Sequence, residues 1–266
     1  MEWGPGQHLF LRFITCGVHS LTAHPFTICS VPQRDCQTQL VFYVKVRSGL
    51  TGRLLALAQK NPNVQIPVLI DGPYGGITAG RVGEFDRNLV IGGGAGAGTT
   101  LALIEDFVRY TPIQAGREMK VIVATRDPGM RAWYLQALEE LAARQAQGKP
   151  VLGLSIHIHE TLTENAVQQI ETNIKSDTKT ESIRSKESNP SMTEIFNMQF
   201  FTGRPDLPAG IQQMTDQEGV SVGVVVCGPS SMIHDVREAV SVAQRQILSG
   251  KPGCAREVWL HSEKFS

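Results

Sequence analysis

A short apolar run, NLVI, passes directly into GGGAGAGTT at residues 92–100, and a helix-spaced segment, TTLALIEDFVRY, leaves it. Five glycines (Gly92, Gly93, Gly94, Gly96 and Gly98) fall within those nine positions. Such a run is either a plain turn or a turn whose backbone stays bare because something charged must approach it. The tight flanks favour the second reading. A helix N-terminus offers unpaired N–H groups and the positive end of the helix dipole, and glycines let a diphosphate come close. The spacing is not GxGxxG. Gly94, Gly96, Gly98 and Thr100 give G-x-G-x-G-x-T, a different phosphate turn in which Thr100 opens the helix.

A strand–turn–helix of this kind commits the following chain to crossovers. MKVIVATRD, LSIHIHE and VSVGVVVCGP read as further buried strands. RAWYLQALEELAARQ reads as a helix with Trp133, Leu138 and Leu141 inward, and SSMIHDVREAVSVAQRQIL as one capped by Ser230 or Ser231. Strands alternating with helices imply a doubly wound α/β parallel sheet. Before residue 85 the grammar differs. Leu9, Leu11 and Phe13 alternate with His8, Phe10 and Arg12, and LVFYVKV puts Leu40, Phe42, Val44 and Val46 on one face. TGRLLALAQ is the one helical pattern there, and turns punctuate the rest, which suits a small antiparallel β-barrel. The expected organisation is therefore a barrel over 1–85, entering its first strand near residue 7, and a doubly wound domain over 86–266.

The polar stretch 161–195, rich in Ser, Thr, Glu and Lys, has too little apolar surface to offset the entropy of ordering it. It reads as a disordered surface insertion. The 25 basic and 25 acidic residues balance, so net charge draws the chain to neither nucleic acid nor an anionic membrane. Cys16, Cys29, Cys36, Cys227 and Cys254 form no CxxC pair and read as reduced thiols. The uncharged run from Asn88 to Ile104 is shorter than the roughly 18 apolar residues of a membrane span. His157 and His159 form an H-x-H on one strand face without an evident third ligand, so no metal site is expected.

Arg126 ends a strand in VIVATRD, and Arg204 stands in FFTGRPD just after the insertion. Two arginines at strand ends of such a domain suit a ribose 2′-phosphate, which guanidinium grips bidentately, and favour NADPH over NADH.

AHPFTICSVP at 23–32, with PGQHLFLRF, VKVRSGLTGRLL, DGPYGG, GGAGAGTT, TGRPD, VVVCGPSSM and EVWLHSEKFS, resembles the flavoprotein half of fungal ferric reductases. These are relatives of the NADPH oxidases within the ferredoxin–NADP reductase superfamily. The motifs run in family order across nearly the whole chain outside the insertion. The resemblance implies FAD and NADPH as cofactors. In His24-Pro25-Phe26-Thr27 it puts Phe26 against the isoalloxazine, Thr27 at its N5 edge and His24 near the diphosphate. Gly49 and Thr51 match a second FAD element, in which Thr51 caps a helix and Arg47 adds charge. In Cys227-Gly228-Pro229 the cysteine would lie beside the nicotinamide, and Phe265 falls where relatives carry an aromatic that covers the flavin.

The implied chemistry is hydride transfer from NADPH to FAD, aligned by Thr27, Cys227 and Phe265. Electrons would then leave singly through an N-terminal haem-binding transmembrane domain to ferric chelates, which places this portion on the cytosolic face of a membrane. The family's opening barrel strand and membrane domain lie upstream, so the chain reads as an N-terminally incomplete fragment. Three readings stay open: a ferric-chelate reductase portion, a superoxide-generating oxidase portion, or a truncated nucleotide-binding module without activity.

Overall fold

A computed structural model describes residues 1–14, 21–32, 39–110, 116–144, 150–161 and 191–264. The first part is a three-stranded antiparallel sheet of β1 (His8–Phe13), β2 (His24–Thr27) and β3 (Val68–Tyr74), in the order β2-β1-β3, with helix α1 (Leu50–Lys60) between β2 and β3. The alternation read in the first strand holds. Leu9 and Leu11 are buried, and with Trp3 and Ile28 they make a small core onto which Phe13, Phe26, Leu40 and Phe42 pack.

LVFYVKV behaves differently. Residues 39–47 join no strand ladder. Ser30 holds the start of this segment, its Oγ donating to the Gln39 carbonyl at 2.9 Å and accepting from the Val41 N–H at 3.1 Å. Leu40 and Phe42 keep their inward face, but Tyr43 stacks on Trp133 at 4.5 Å and draws the chain away, leaving Val44 and Val46 exposed.

The second part is a six-stranded parallel sheet: β4 (Arg87–Gly93), β5 (Glu118–Thr125), β6 (Leu154–Glu160), β7 (Met198–Thr202), β8 (Ser221–Gly228) and β9 (Glu257–Lys264), in the order β7-β6-β5-β4-β8-β9. Its helices are α2 (Ala97–Tyr110), α3 (Pro128–Arg144), α4 (Met192–Ile195), α5 (Leu207–Thr215) and α6 (Ser230–Leu248). Both faces are covered, so β5 reads as a continuous apolar run. Val121 and Val123 face one core with α2 and α3, and Ile122 faces the other with α5 and α6.

Several details depart from the sequence reading. Tyr134 joins Leu138 and Leu141 as a buried residue of α3, while Trp133 is only partly buried against Tyr43. The N-cap of α6 is Pro229, in extended backbone, so Ser230 and Ser231 are already helical. The sequence reading gave edge strands β7 and β9 no bounds, because β7 is mostly exposed and β9 mostly half-buried and neither shows a continuous apolar run. Of the stretch 161–195, residues 162–190 lie outside the described residues. Its end is ordered: Ser191 and Glu194 form a reciprocal capping box, and Ile195 is buried.

α2 carries one ionisable group that the fold makes costly. The Asp106 carboxylate is fully covered and accepts the Gly80 N–H at 3.0 and 3.1 Å, joining α2 to the connection between the sheets. Burial pushes its pKa up to about 6, against the opposing pull of the Gly80 N–H and Arg109. A raised folded pKa means the native state pays for the ionised form above pH 6 and recovers that cost as pH falls towards the ordinary carboxylate value. Asp106→Asn keeps an acceptor and removes the charge. Its stability in urea unfolding should exceed wild type by on the order of 1 kcal/mol at pH 8, with the advantage shrinking between pH 6 and pH 4.

Candidate functional site

The strand order reverses between β4 and β8, the place where open α/β sheets receive ligands beyond the carboxyl ends of their strands. A cavity of about 930 Å³ lies there. Gly93, Gly94 and Ala95 at the end of β4, Arg126 after β5, and Gly228 and Pro229 at the end of β8 line one side, and residues 43–47 wall the other. Arg204, just after β7, also lines it, so the chain brings together the two arginines separated by the insertion.

The glycine turn divides its labour. Gly94 adopts φ 55°, and a Cβ there would meet nothing within 4 Å, so this residue presents bare backbone to the cavity. Gly96 and Gly98 do not line the cavity. A Cβ on Gly96 would lie 2.1 Å from the Cys227 carbonyl oxygen, and one on Gly98 would lie 2.6 Å from Cys29 Sγ. These two are bare because other parts of the protein press on them. Nor does Thr100 open the helix: a short 3₁₀ turn over Gly94–Gly96 leads into α2 at Ala97. Thr100 is buried, its hydroxyl donating to the Ala97 carbonyl at 2.7 Å and accepting from Tyr134 at 2.7 Å, which ties α2 to α3.

The other wall adds charge that sequence reading assigned only in part. Arg47 and Lys45 both line the cavity; Lys45 was missed because a lone lysine in an alternating run looks like a solvated strand residue. Gly49, at φ 74°, is the N-cap of α1, a conformation glycine adopts without strain. Thr51 is therefore not the cap. It sits inside the first turn, where its hydroxyl accepts the Arg47 N–H at 2.8 Å and holds the wall against the helix.

The HPFT strand stands apart from this cavity. Phe26 turns onto the small core, edge-on to Phe13 at 5.9 Å and to Phe42 at 6.3 Å. Pro25 is exposed, His24 and Thr27 are half-buried, and His24 Nε2 lies 2.9 Å from Thr22 Oγ1. The Thr27 carbonyl accepts the Cys29 thiol at 3.5 Å.

Cys227 ends β8 almost fully buried, accepting the Thr99 hydroxyl at 3.4 Å. Burial pushes its thiol up to about 12, so it is a neutral packing group, not a nucleophile. Its register partner on β9 is Glu263, which the sequence reading missed because carboxylates at strand ends are commonplace. Glu263 Oε1 accepts the Gly76 N–H at 3.1 Å and lies 3.0 Å from His261 Nε2. The His261 hydrogen bond, with the Gly76 N–H behind it, holds that carboxyl below its usual range. Phe265, Cys16 and Cys36 lie outside the described residues. His157 and His159 pack against Phe201, with His159 stacked on it at 4.7 Å. Burial lowers both imidazoles, His157 to about 4, and among the described residues no cluster of three metal-ligating side chains occurs.

An antiparallel sheet beside a doubly wound sheet, with a basic cavity at the switch point, is an arrangement suited to binding nucleotide cofactors. Residues 85–241 match the ferric reductase NAD binding domain, and residues 1–78 match an FAD-binding domain. The chain belongs to the ferric reductase family. It is similar to a probable ferric reductase transmembrane component of Candida albicans, at 25% identity over 89% of this chain and 34% of that protein. It is also similar to ferric reductase transmembrane component 6 of Saccharomyces cerevisiae, at 27% identity over 89% of this chain and 31% of that protein. The chain thus spans about a third of the length of these relatives. Among solved structures, a Neisseria gonorrhoeae ferredoxin–NADP⁺ reductase with bound FAD and NADP shares the fold, with TM-score 0.54 and 13% identity over 99% of this chain and 87% of that one.

The role found for Gly96 carries a measurable consequence. Gly96→Ala drives a methyl into the Cys227 carbonyl, where backbone leaves no room to yield, and should cost about 1–3 kcal/mol in urea unfolding.

Proposed function

We propose that this chain is the NADPH-oxidising flavoprotein portion of a ferric-reductase electron path, with residues 1–85 as the flavin half and 86–266 as the nucleotide half. The carrying observation is the cavity at the switch point, which bare backbone at Gly94 lines together with Arg126 and Arg204. The lining fits a dinucleotide: backbone open to a diphosphate, two guanidinium groups for a 2′-phosphate, and Lys45 and Arg47 opposite. When bound, NADPH supplies a hydride and FAD accepts it, so the protein's task is alignment and exclusion of water.

Gly94 and the turn into α2 hold the diphosphate. Arg126 and Arg204 read the 2′-phosphate, and Gly228 and Pro229 shape the nicotinamide end. Cys227 packs behind that end as a neutral group. His24, Pro25, Phe26 and Thr27 form the flavin strand, with Phe26 bracing it from the core side. Arg47, Gly49 and Thr51 hold the wall that would face the nucleotide, and Phe265 is the candidate aromatic for covering the flavin.

The relatives are described as ferric or ferric/cupric reductase transmembrane components, whereas among the described residues no helix of this chain is long and apolar enough to cross a membrane. The proposal extends to a haem-binding membrane domain as the onward partner, a ferric chelate as the terminal acceptor, and the cytosolic face of the membrane as the working location; the relatives' description as transmembrane components supports the membrane association.

Two measurements test this reading. The protein loaded with FAD should lose its flavin absorption when NADPH is added without oxygen; NADPH binding without bleaching would leave only a nucleotide-binding module. Arg126→Ala and Arg204→Ala should each weaken NADPH about tenfold or more and leave NADH within about threefold. Equal losses for both nucleotides would mean that these arginines do not read the 2′-phosphate.

A further inference from the structure

Gly98 is the second residue of α2 and has no positive φ that would call for glycine. Something other than helix formation must keep this position bare. A Cβ at Gly98 would lie 2.6 Å from Cys29 Sγ, well inside the roughly 3.5–4 Å of an ordinary contact. Cys29 belongs to the FAD-binding region and Gly98 to the nucleotide-binding region, so the contact crosses between the halves.

The neighbouring Thr99 marks the same seam. A Cβ on Gly6 would lie 3.1 Å from Thr99 Cγ2, while the Thr99 hydroxyl reaches back to Cys227 at the end of β8. Cys29 is itself held: it is buried, its thiol donates to the Thr27 carbonyl, and its N–H donates to the Val41 carbonyl at 2.8 Å. Thr27 is the last residue of the HPFT strand, so pressure at Gly98 passes through one cysteine to the flavin motif.

We propose that Gly98 is a positioning residue: the missing side chain sets how closely the nucleotide half seats against the flavin strand, and so the distance across which hydride passes. The proposal rests on the function inferred above. It separates Gly98 from Gly94, which alone of the two faces the cavity.

The test uses Gly98→Ala, Cys29→Ala and the double variant. Removing Sγ leaves Cys29 Cβ 3.9 Å from the added methyl, an ordinary contact. G98A should slow NADPH-driven flavin bleaching about tenfold or more while NADPH and FAD dissociation constants each move less than about threefold. The double variant should return to within about threefold of wild type. A second readout needs no cofactor. Maleimide labelling of Cys29, followed by peptide mass spectrometry, should be about tenfold faster in G98A than in wild type, because the seam no longer covers the thiol.

A G98A protein that transfers and labels like wild type overturns the proposal. So does a loss of NADPH affinity that C29A fails to restore, which would return Gly98 to the phosphate site. Should G98A not fold, a double variant with the wild-type melting temperature supports the proposal, and one that also fails overturns it. Absence of bleaching in wild type would sink the functional reading, and the labelling result would then decide the seam alone.

Discussion

One helix, α2, is pressed from both sides along its length, and the relation between the two halves depends on it. At its entry the backbone of Gly96 meets the Cys227 carbonyl, and two residues on Gly98 meets Cys29. In its middle the Asp106 carboxylate takes the Gly80 N–H of the connecting chain. Near its end Arg109 pairs with Glu105 at 2.8 Å and donates to the Pro32 carbonyl. A helix that bound only its own sheet would leave the small sheet free to rotate. Here a missing methyl, a buried carboxylate and a guanidinium each join it to the small sheet or to the connection leading there.

The cavity inherits its shape from that arrangement. One side of it is intrinsic to the doubly wound sheet, since Gly93, Gly94, Arg126 and Gly228 all stand at or just past the carboxyl ends of its strands. Its opposite wall comes from residues 43–47, which the Tyr43–Trp133 stack and the Thr51 hydroxyl hold in place. Neither half encloses the site alone. A site made from two bodies is sensitive to their separation, because any reaction between bound groups falls steeply with misplacement of the reacting atoms.

Much of this was legible in the residues. The switch from period-two alternation to strand–helix alternation near residue 85 follows from side-chain geometry, and the HPFT, glycine-turn and CGP motifs marked the family. Arg126 and Arg204 were candidates for one site, and they do line one cavity. The errors share a cause. Gly96 and Gly98 were read as ligand-facing, and Thr100 and Thr51 as the openers of their helices, because glycine and threonine in a turn look alike whether they serve a ligand, a cap or a neighbour. Lys45 and Glu263 were passed over because an isolated charge on a strand carries no local sign of what lies across from it.

What the sequence by itself determined was the type and order of the elements, the family, and the chemical kinds of residue available for binding nucleotides. These follow from local propensity, hydrophobic period and short motifs, which act over a few neighbouring residues. Only the tertiary structure decided which glycine opens to the cavity and which two are squeezed shut. That choice depends on Cys29 and Cys227, which stand 69 and 129 residues from Gly98 along the chain and meet the turn only when both sheets are in place.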